Sequence, residues 1–204
     1  MDSLLPLFPL DLVLLPGQAL PLRIFEPRYK EMIGECLDRK TSFGIVRAQE
    51  DSIAEIGCTA DILGVTNKYP DGSMDIDTVG RRRFEVLQVN NERSFLRAEV
   101  LFQEDEPGDL ALADAHTAIE LHTQVVRMLG PNQSYEPPDS GQPQLSYELA
   151  GALPMDLDFK QALLGMRSET DRLAALIEFY KQVLPKLERA SKARQTAGGN
   201  GHIL

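Results

Sequence analysis

Two hydrophobic periods share this chain, and the change from one to the other is what most restricts its fold. Up to Phe102 the apolar residues fall in short runs or alternate with polar ones, as in Met74-Asp-Ile-Asp-Thr-Val79. Beyond Asp109 they recur every three or four residues. A period of two builds half-buried strands, and a period near 3.6 builds amphipathic helices. The acidic stretch Gln103-Glu-Asp-Glu-Pro-Gly-Asp109 lies between them and reads as a subdomain boundary. The expected class is therefore α+β. A β-rich subdomain spans 4–105, a helical subdomain spans 109–190, and a flexible tail spans 191–204. With 204 residues, 43% of them apolar, such a chain buries roughly 70% of its unfolded surface.

In the first part, Leu4–Leu10 and Leu12–Leu15 are short apolar runs punctuated by Pro6, Pro9, Pro16 and Pro21. Proline cannot donate to a ladder, so these pieces are expected as edge strands or as short strands broken by bends. One helix interrupts them. Apolar residues at 25, 29, 32, 33, 36 and 37 share a helical face, Pro27 suits the first helical position, and Arg39 and Lys40 suit the last turn. Phe25 and Tyr29 are expected to open that buried face, and Cys36 to pack on it as a small hydrophobe. Strands follow at Phe43–Ala48, Ile56–Tyr69, Met74–Val79, Phe84–Val89 and Ser94–Phe102, with a hairpin turn at Pro70-Asp-Gly-Ser73. Gly80 is expected to serve a bend and Phe84 the core. Six or more strands with short turns suggest a closed or half-closed barrel.

In the second part, Asp109 can cap a helix running to Met128 or Leu129, which Gly130 and Pro131 stop. Residues 131–144 carry four prolines and no period, and are expected as a mobile loop. Ser146, then Asp156 or Asp158, and then Ser168 within Ser168-Glu-Thr-Asp171 are candidate caps for three further helices. Pro185 is expected to kink or end the last of these.

Charge and composition exclude several functions. The net charge is −10, with −6 in residues 1–105 and −4 in the rest. Phosphate backbones are bound by local basic excess, and the one dense run, Arg81-Arg82-Arg83, is expected to alternate on a strand. Nucleic acid is thus disfavoured, as is an anionic membrane surface. No apolar run of about 18 residues exists to span a bilayer. MDSLLPLFPL lacks the basic start of a signal peptide, and two cysteines make no disulfide framework. The cytoplasm is the expected compartment. No GxxxxGK[ST], GxGxxG or GxSxG motif occurs. His116 and His122 lie about 240° apart on one helix, too far round to clamp a metal. Asp75 and Asp77 share a strand face that reads as solvated. No catalytic residue, metal site or cofactor is expected.

The order of short motifs in the first half resembles a known family. Leu5-Pro-Leu-Phe-Pro-Leu, Leu14-Leu-Pro-Gly and Leu20-Pro-Leu-Arg-Ile-Phe-Glu-Pro-Arg-Tyr29 are similar to the opening of the N-terminal domain of Lon ATP-dependent proteases. Ile56-Gly-Cys-Thr-Ala-Asp-Ile62, Tyr69-Pro-Asp-Gly72, Thr78-Val-Gly-Arg-Arg-Arg-Phe84 and Leu96-Arg-Ala-Glu-Val100 continue the resemblance. In the helical half it is carried by Leu149-Ala-Gly-Ala-Leu-Pro154, Lys160-Gln-Ala-Leu-Leu-Gly-Met166 and Asp171-Arg-Leu. It implies a β-rich, PUA-like pseudo-barrel with one inserted helix, followed by a helical subdomain. It also implies recognition of substrate polypeptides. No ATPase phosphate loop is present, and a Ser–Lys peptidase module does not fit after Leu187, so a non-catalytic module is expected. Its partners would be unfolded or tagged polypeptides and a protease, bound by a monomer or weak dimer. The best-matched stretch names Pro21, Arg23, Phe25, Glu26, Arg28 and Tyr29 as candidate peptide-binding residues. Against this, Glu26 and Arg28 can simply hold a turn as a local ion pair. A small-ligand protein or enzyme on the same fold is the alternative, and an RNA-binding PUA-like protein is a weaker one.

Overall fold

A computed structural model describes residues 4–50, 52–106, 112–130 and 135–199. The elements in order are β1 (Leu5–Leu10), β2 (Ala19–Ile24), α1 (Pro27–Arg39), β3 (Phe43–Arg47), β4 (Ile56–Lys68), β5 (Met74–Asn90), β6 (Arg97–Gln103), α2 (Leu112–Leu129), α3 (Leu145–Gly151), α4 (Leu157–Gly165) and α5 (Glu169–Gly199). The class is α+β. The chain divides into two compact units. One takes the residues up to Asp105 together with Met155–Arg167. The other takes Glu106–Pro154 and the residues from Ser168 on.

The first unit is a six-stranded sheet in the order β2-β5-β4-β3-β1-β6, and β5 pairs with β6 as well. That second pairing, Arg83↔Gln103 through Asn90↔Arg97, closes five strands into a ring. The first half of β5 carries β2 outside the ring, from Ala19↔Val79 to Ile24↔Met74. Each strand shares the work because β5 is long enough to serve two neighbours in succession.

The prolines sit differently in β1 and β2. β2 is a terminal strand, where Pro21 needs no donor on its free side. β1 instead lies between β3 and β6. It pairs with β6 only at Leu5 and Pro6, and with β3 only from Leu7 to Leu10. Apart from the Leu7 N–H, which donates to the Leu96 carbonyl at 2.8 Å, each half lacks a strand partner on its other side, so an interior position still tolerates Pro6 and Pro9. Leu12–Leu15 forms no strand. Val13, Leu14 and Leu15 are buried as an irregular plug against β5.

Leu7, Val46, Phe84 and Ala98 form the ring's core, with Leu5, Ile53, Val86, Leu96 and Val100 packed around them. The Phe84 ring fills the space where Gly44 and Gly57 lack side chains: a Cβ there would meet it at 2.7 and 2.5 Å. Gly80 makes no bend. It continues β5, and a Cβ on it would lie 2.2 Å from the Leu15 carbonyl oxygen. Its role is close backbone approach to the plug.

α1 follows the expected period at Tyr29, Met32, Ile33 and Cys36, all buried. Phe25 departs from it. It lies before Pro27, outside the helix, and is 61% exposed. α4 begins where Asp156 accepts from the N–H groups of Asp158 and Phe159, and it packs on β4 through Gln161 Nε2, which donates to the Ile56 carbonyl at 2.9 Å.

In the second unit α2 packs on α5. Ala115, Ala118, His122 and Val125 are buried on one helix, and Leu173, Leu176, Ile177, Tyr180 and Leu184 on the other. Ser168 Oγ caps α5 by accepting from Asp171 N–H. Pro185 neither ends the helix nor stops its run to Gly199; it and Lys181, whose carbonyl loses a partner, both lie on the exposed face. Ser146 is not a cap. It lies inside α3, buried, where its Oγ donates to Glu169 and accepts from Arg172. The expected Asp109 cap lies outside the described residues, as do 131–134 of the expected loop.

Candidate functional site

The six candidate residues fall together where β2 turns into α1. Alternation along β2 puts Pro21 and Arg23 at exposed positions and turns Ile24 inward. Glu26 takes the extended conformation of a helix N-cap but makes no side-chain cap bond. Its carboxylate is instead used sideways, paired with Arg28 at 2.8 Å. The Arg28 guanidinium lies 4.5 Å over the Tyr29 ring, and that ring stacks on Phe8 at 3.9 Å. Tyr29 is thus core, 6% exposed, and its phenol is pushed up mainly by burial. Five of the six reach solvent, Pro21, Arg23, Phe25 and Arg28 as exposed residues and Glu26 in part; Tyr29 alone is buried. Glu26 and Tyr29 hold the Arg28 guanidinium in place.

Arg23 has its own support. It lies 4.4 Å over the Tyr69 ring and 3.7 Å from the Asp75 carboxylate. The Tyr69 hydroxyl donates to Asp75 at 2.7 Å and Asn67 donates at 3.1 Å. The Tyr69 bond holds the Asp75 carboxyl below its usual range. Asp75 is therefore a ligand for its own neighbours.

The Arg81–Arg83 run breaks its expected alternation. Ala60 pairs with Gly80 and Cys58 with Arg83, so Arg81 and Arg82 both face the single residue Thr59 across a bulge. Both point outward, Arg81 paired with Asp61 at 3.0 Å and Arg82 with Glu104 at 2.8 Å. Arg83 is buried. The two exposed arginines line a mixed-charge groove with Arg39, Lys40, Asp61 and Glu99. A second, apolar groove lies beside Ile53, Val86 and Leu87.

Burial favours the neutral forms of Cys36, Cys58 and His122. Burial pushes the Cys58 thiol up to about 12 and raises Cys36 as well, so neither is a ready thiolate. Burial pushes His122 down to about 4. His116, on the same helix, is exposed. Sequence reasoning missed Arg83 and the apolar groove, because a bulge and a distant loop create them and neither has a local signature.

Comparisons with known proteins agree on one family. The model of the ATP-dependent protease La (LON) substrate-binding domain matches residues 4–182. A Lon protease of Parabacteroides distasonis is 31% identical over 136 residues, 62% of this chain and 16% of that protein. Protein cereblon of Danio rerio is 31% identical over 101 residues, 46% of this chain and 23% of that protein. The chain thus spans less than a quarter of the length of these relatives. Among solved structures, a Lon N-terminal domain protein from Xanthomonas campestris superposes with a TM-score of 0.71 and 27% identity, covering 86% of this chain and 98% of that one.

Proposed function

We propose that this chain, which belongs to the family of the ATP-dependent protease La (LON) substrate-binding domain, is a non-catalytic polypeptide-recognition module. It works in the cytoplasm, as a monomer or weak dimer. Its clients are unfolded or tagged polypeptides, which it holds or passes to a protease as an adaptor.

The observation that carries this reading is the exposure of Phe25. A large aromatic side chain stands in solvent at the β2–α1 corner, between two arginines that Asp75 and Glu26 already neutralise. Such a surface offers apolar contact without a charge preference. Pairing a client strand with the free side of β2 is the less favourable mode, because Pro21 in mid-strand has no N–H to donate. Contact through Pro21, Arg23, Phe25, Glu26 and Arg28, with Tyr29 behind them, remains.

The test is equilibrium binding of a reduced and alkylated, permanently unfolded polypeptide. Saturable binding tighter than about 100 μM, or about −5.5 kcal/mol, is expected. Phe25→Ser should weaken it about fivefold or more at unchanged melting temperature. No binding at that concentration overturns the reading.

A further inference from the structure

The apolar groove of the first unit is built and not incidental. Its lining includes Pro9, Ile53, Val86, Leu87, Val89 and Leu96, and its volume is about 770 Å³. That lies within the roughly 300–1,000 Å³ of sites that hold a compact ligand. One wall is made by residues 48–50 and 52–55, between β3 and β4, which are held by their own bonds. Ala48 bridges Ile53, Gln49 N–H donates to the Ser52 carbonyl and Ala54 N–H to the Arg47 carbonyl, both at 2.9 Å, and Val86 N–H donates to Glu55 at 2.8 Å.

The other wall is shaped by a bulge. Val86 pairs with Val100, and the next pair is Gln88 with Glu99, so Leu87 is an extra residue. Bulges re-aim side chains and forfeit ladder bonds. Here the result is an apolar pair in solvent, Leu87 at 53% and Val89 at 44% exposure. A strand face meant only for water would carry polar residues at such positions.

The rim has one sign of charge. Glu50 and Glu55 line the groove, and among the described residues no Lys or Arg does. Neither carboxylate takes part in an ion pair among the described residues. From this juxtaposition we propose that the groove is a second subsite for polypeptide, one that takes apolar side chains of a short extended segment with Lys or Arg beside them. The preformed walls reduce the ordering that binding requires, and the two carboxylates select the basic flank. The proposal rests on the polypeptide-recognition reading and adds to it a client chemistry that Phe25 does not supply.

The test uses the full chain and three peptides with one shared apolar centre and flanks of Lys, Ser or Glu. Affinity should fall in that order, by about fivefold per step at low salt, and the steps should shrink at high salt. Leu87→Ser with Val89→Ser should weaken all three by about tenfold. Both positions are exposed, so the fold survives. Glu50→Gln with Glu55→Gln should abolish the preference for Lys and leave the Ser-flanked peptide unchanged. Equal affinities for the three peptides, or affinities that Leu87→Ser with Val89→Ser leaves intact while Phe25→Ser removes them, overturn the groove and spare the broader reading. Self-association of the chain that Leu87→Ser with Val89→Ser dissolves also overturns it, by assigning the groove to a second copy. If no peptide and no unfolded polypeptide binds, both fall together.

Discussion

Arg83 Nη1 donates to the carbonyl oxygen of Met166 at 2.7 Å. The same atom reaches the Leu164 carbonyl at 3.1 Å, and Nη2 pairs with Asp105. One guanidinium, 3% exposed, thus satisfies carbonyls at the end of α4 that the helix itself leaves without partners. It also ties Met155–Arg167 to the sheet unit. Arg83→Met would take this partner from Asp105 and this donor from both carbonyls. A loss of about 3 kcal/mol in urea unfolding is expected. Arg83→Lys keeps the charge and loses the fork, so it should lose about half as much. A change below about 1 kcal/mol in Arg83→Met would mean that α4 is held by apolar packing alone.

Gly80 and Gly64 give a matched pair. Both lie in strands of the same hairpin. At Gly80 a methyl group would meet the Leu15 carbonyl oxygen at 2.2 Å, whereas at Gly64 it would meet nothing within 4 Å. The Leu15 segment is also bonded to β5 by Gly17 N–H to the Gly80 carbonyl and Gly80 N–H to the Gln18 carbonyl, both at 2.9 Å. Gly80→Ala should therefore lower stability by about 2–3 kcal/mol. Gly64→Ala should leave it unchanged or raise it by up to about 1 kcal/mol. Denaturant midpoints of the two variants, measured side by side, check both signs.

Phe25 and Tyr29 have the spacing of one helical face but opposite surroundings. Tyr29→Ala would empty the stack against Phe8 and should remove about 3 kcal/mol of stability. Phe25→Ala should lie within about 0.5 kcal/mol of the parent. Thermal unfolding separates them. A destabilised Phe25→Ala would mean that the ring is packed in solution and unavailable to a client.

What the sequence made legible is whatever depends on local period. The face of α1 from Tyr29 to Cys36, the face of α5 through Leu173, Leu176, Ile177, Tyr180 and Leu184, and the Asp156 and Ser168 caps all follow from neighbours within a few residues. Phe25 misled because Pro27 starts the helix after it. Alternation told which residues of β5 point inward but not that β5 serves both β2 and β6. The bulges opposite Thr59 and at Leu87 shift the faces of every residue beyond them, and no single-strand pattern reports that. The β2–α1 corner was found because its residues are contiguous. The groove at Leu87 and the Arg83 anchor were not, because their partners lie tens of residues away in the chain.

His122 supplies a pH dependence with a definite sign. It is buried between α2 and α5, with Nδ1 2.9 Å from the Tyr180 hydroxyl and its ring 5.4 Å from that of Tyr135. Its Nε2 has no hydrogen-bond partner among the described residues. Burial holds the imidazole neutral, pushed down from 6.5 to about 4. Between those values the unfolded chain binds a proton that the folded chain does not, so stability falls as pH falls. The contribution is fully present above about pH 6.5 and is lost through about pH 4. It amounts to about 2–3 kcal/mol between pH 7 and pH 4.5. Lowered carboxyls such as Asp75, Glu31 and Glu35 act in the same direction but at lower pH. The difference between the parent and His122→Gln isolates the histidine. Gln can keep a bond to Tyr180 and does not titrate, so its stability should stay flat from pH 7 to 4.5 while that of the parent declines. Parallel curves for the two proteins would show that His122 takes up its proton in the folded state as readily as in the unfolded one, and that water reaches the ring.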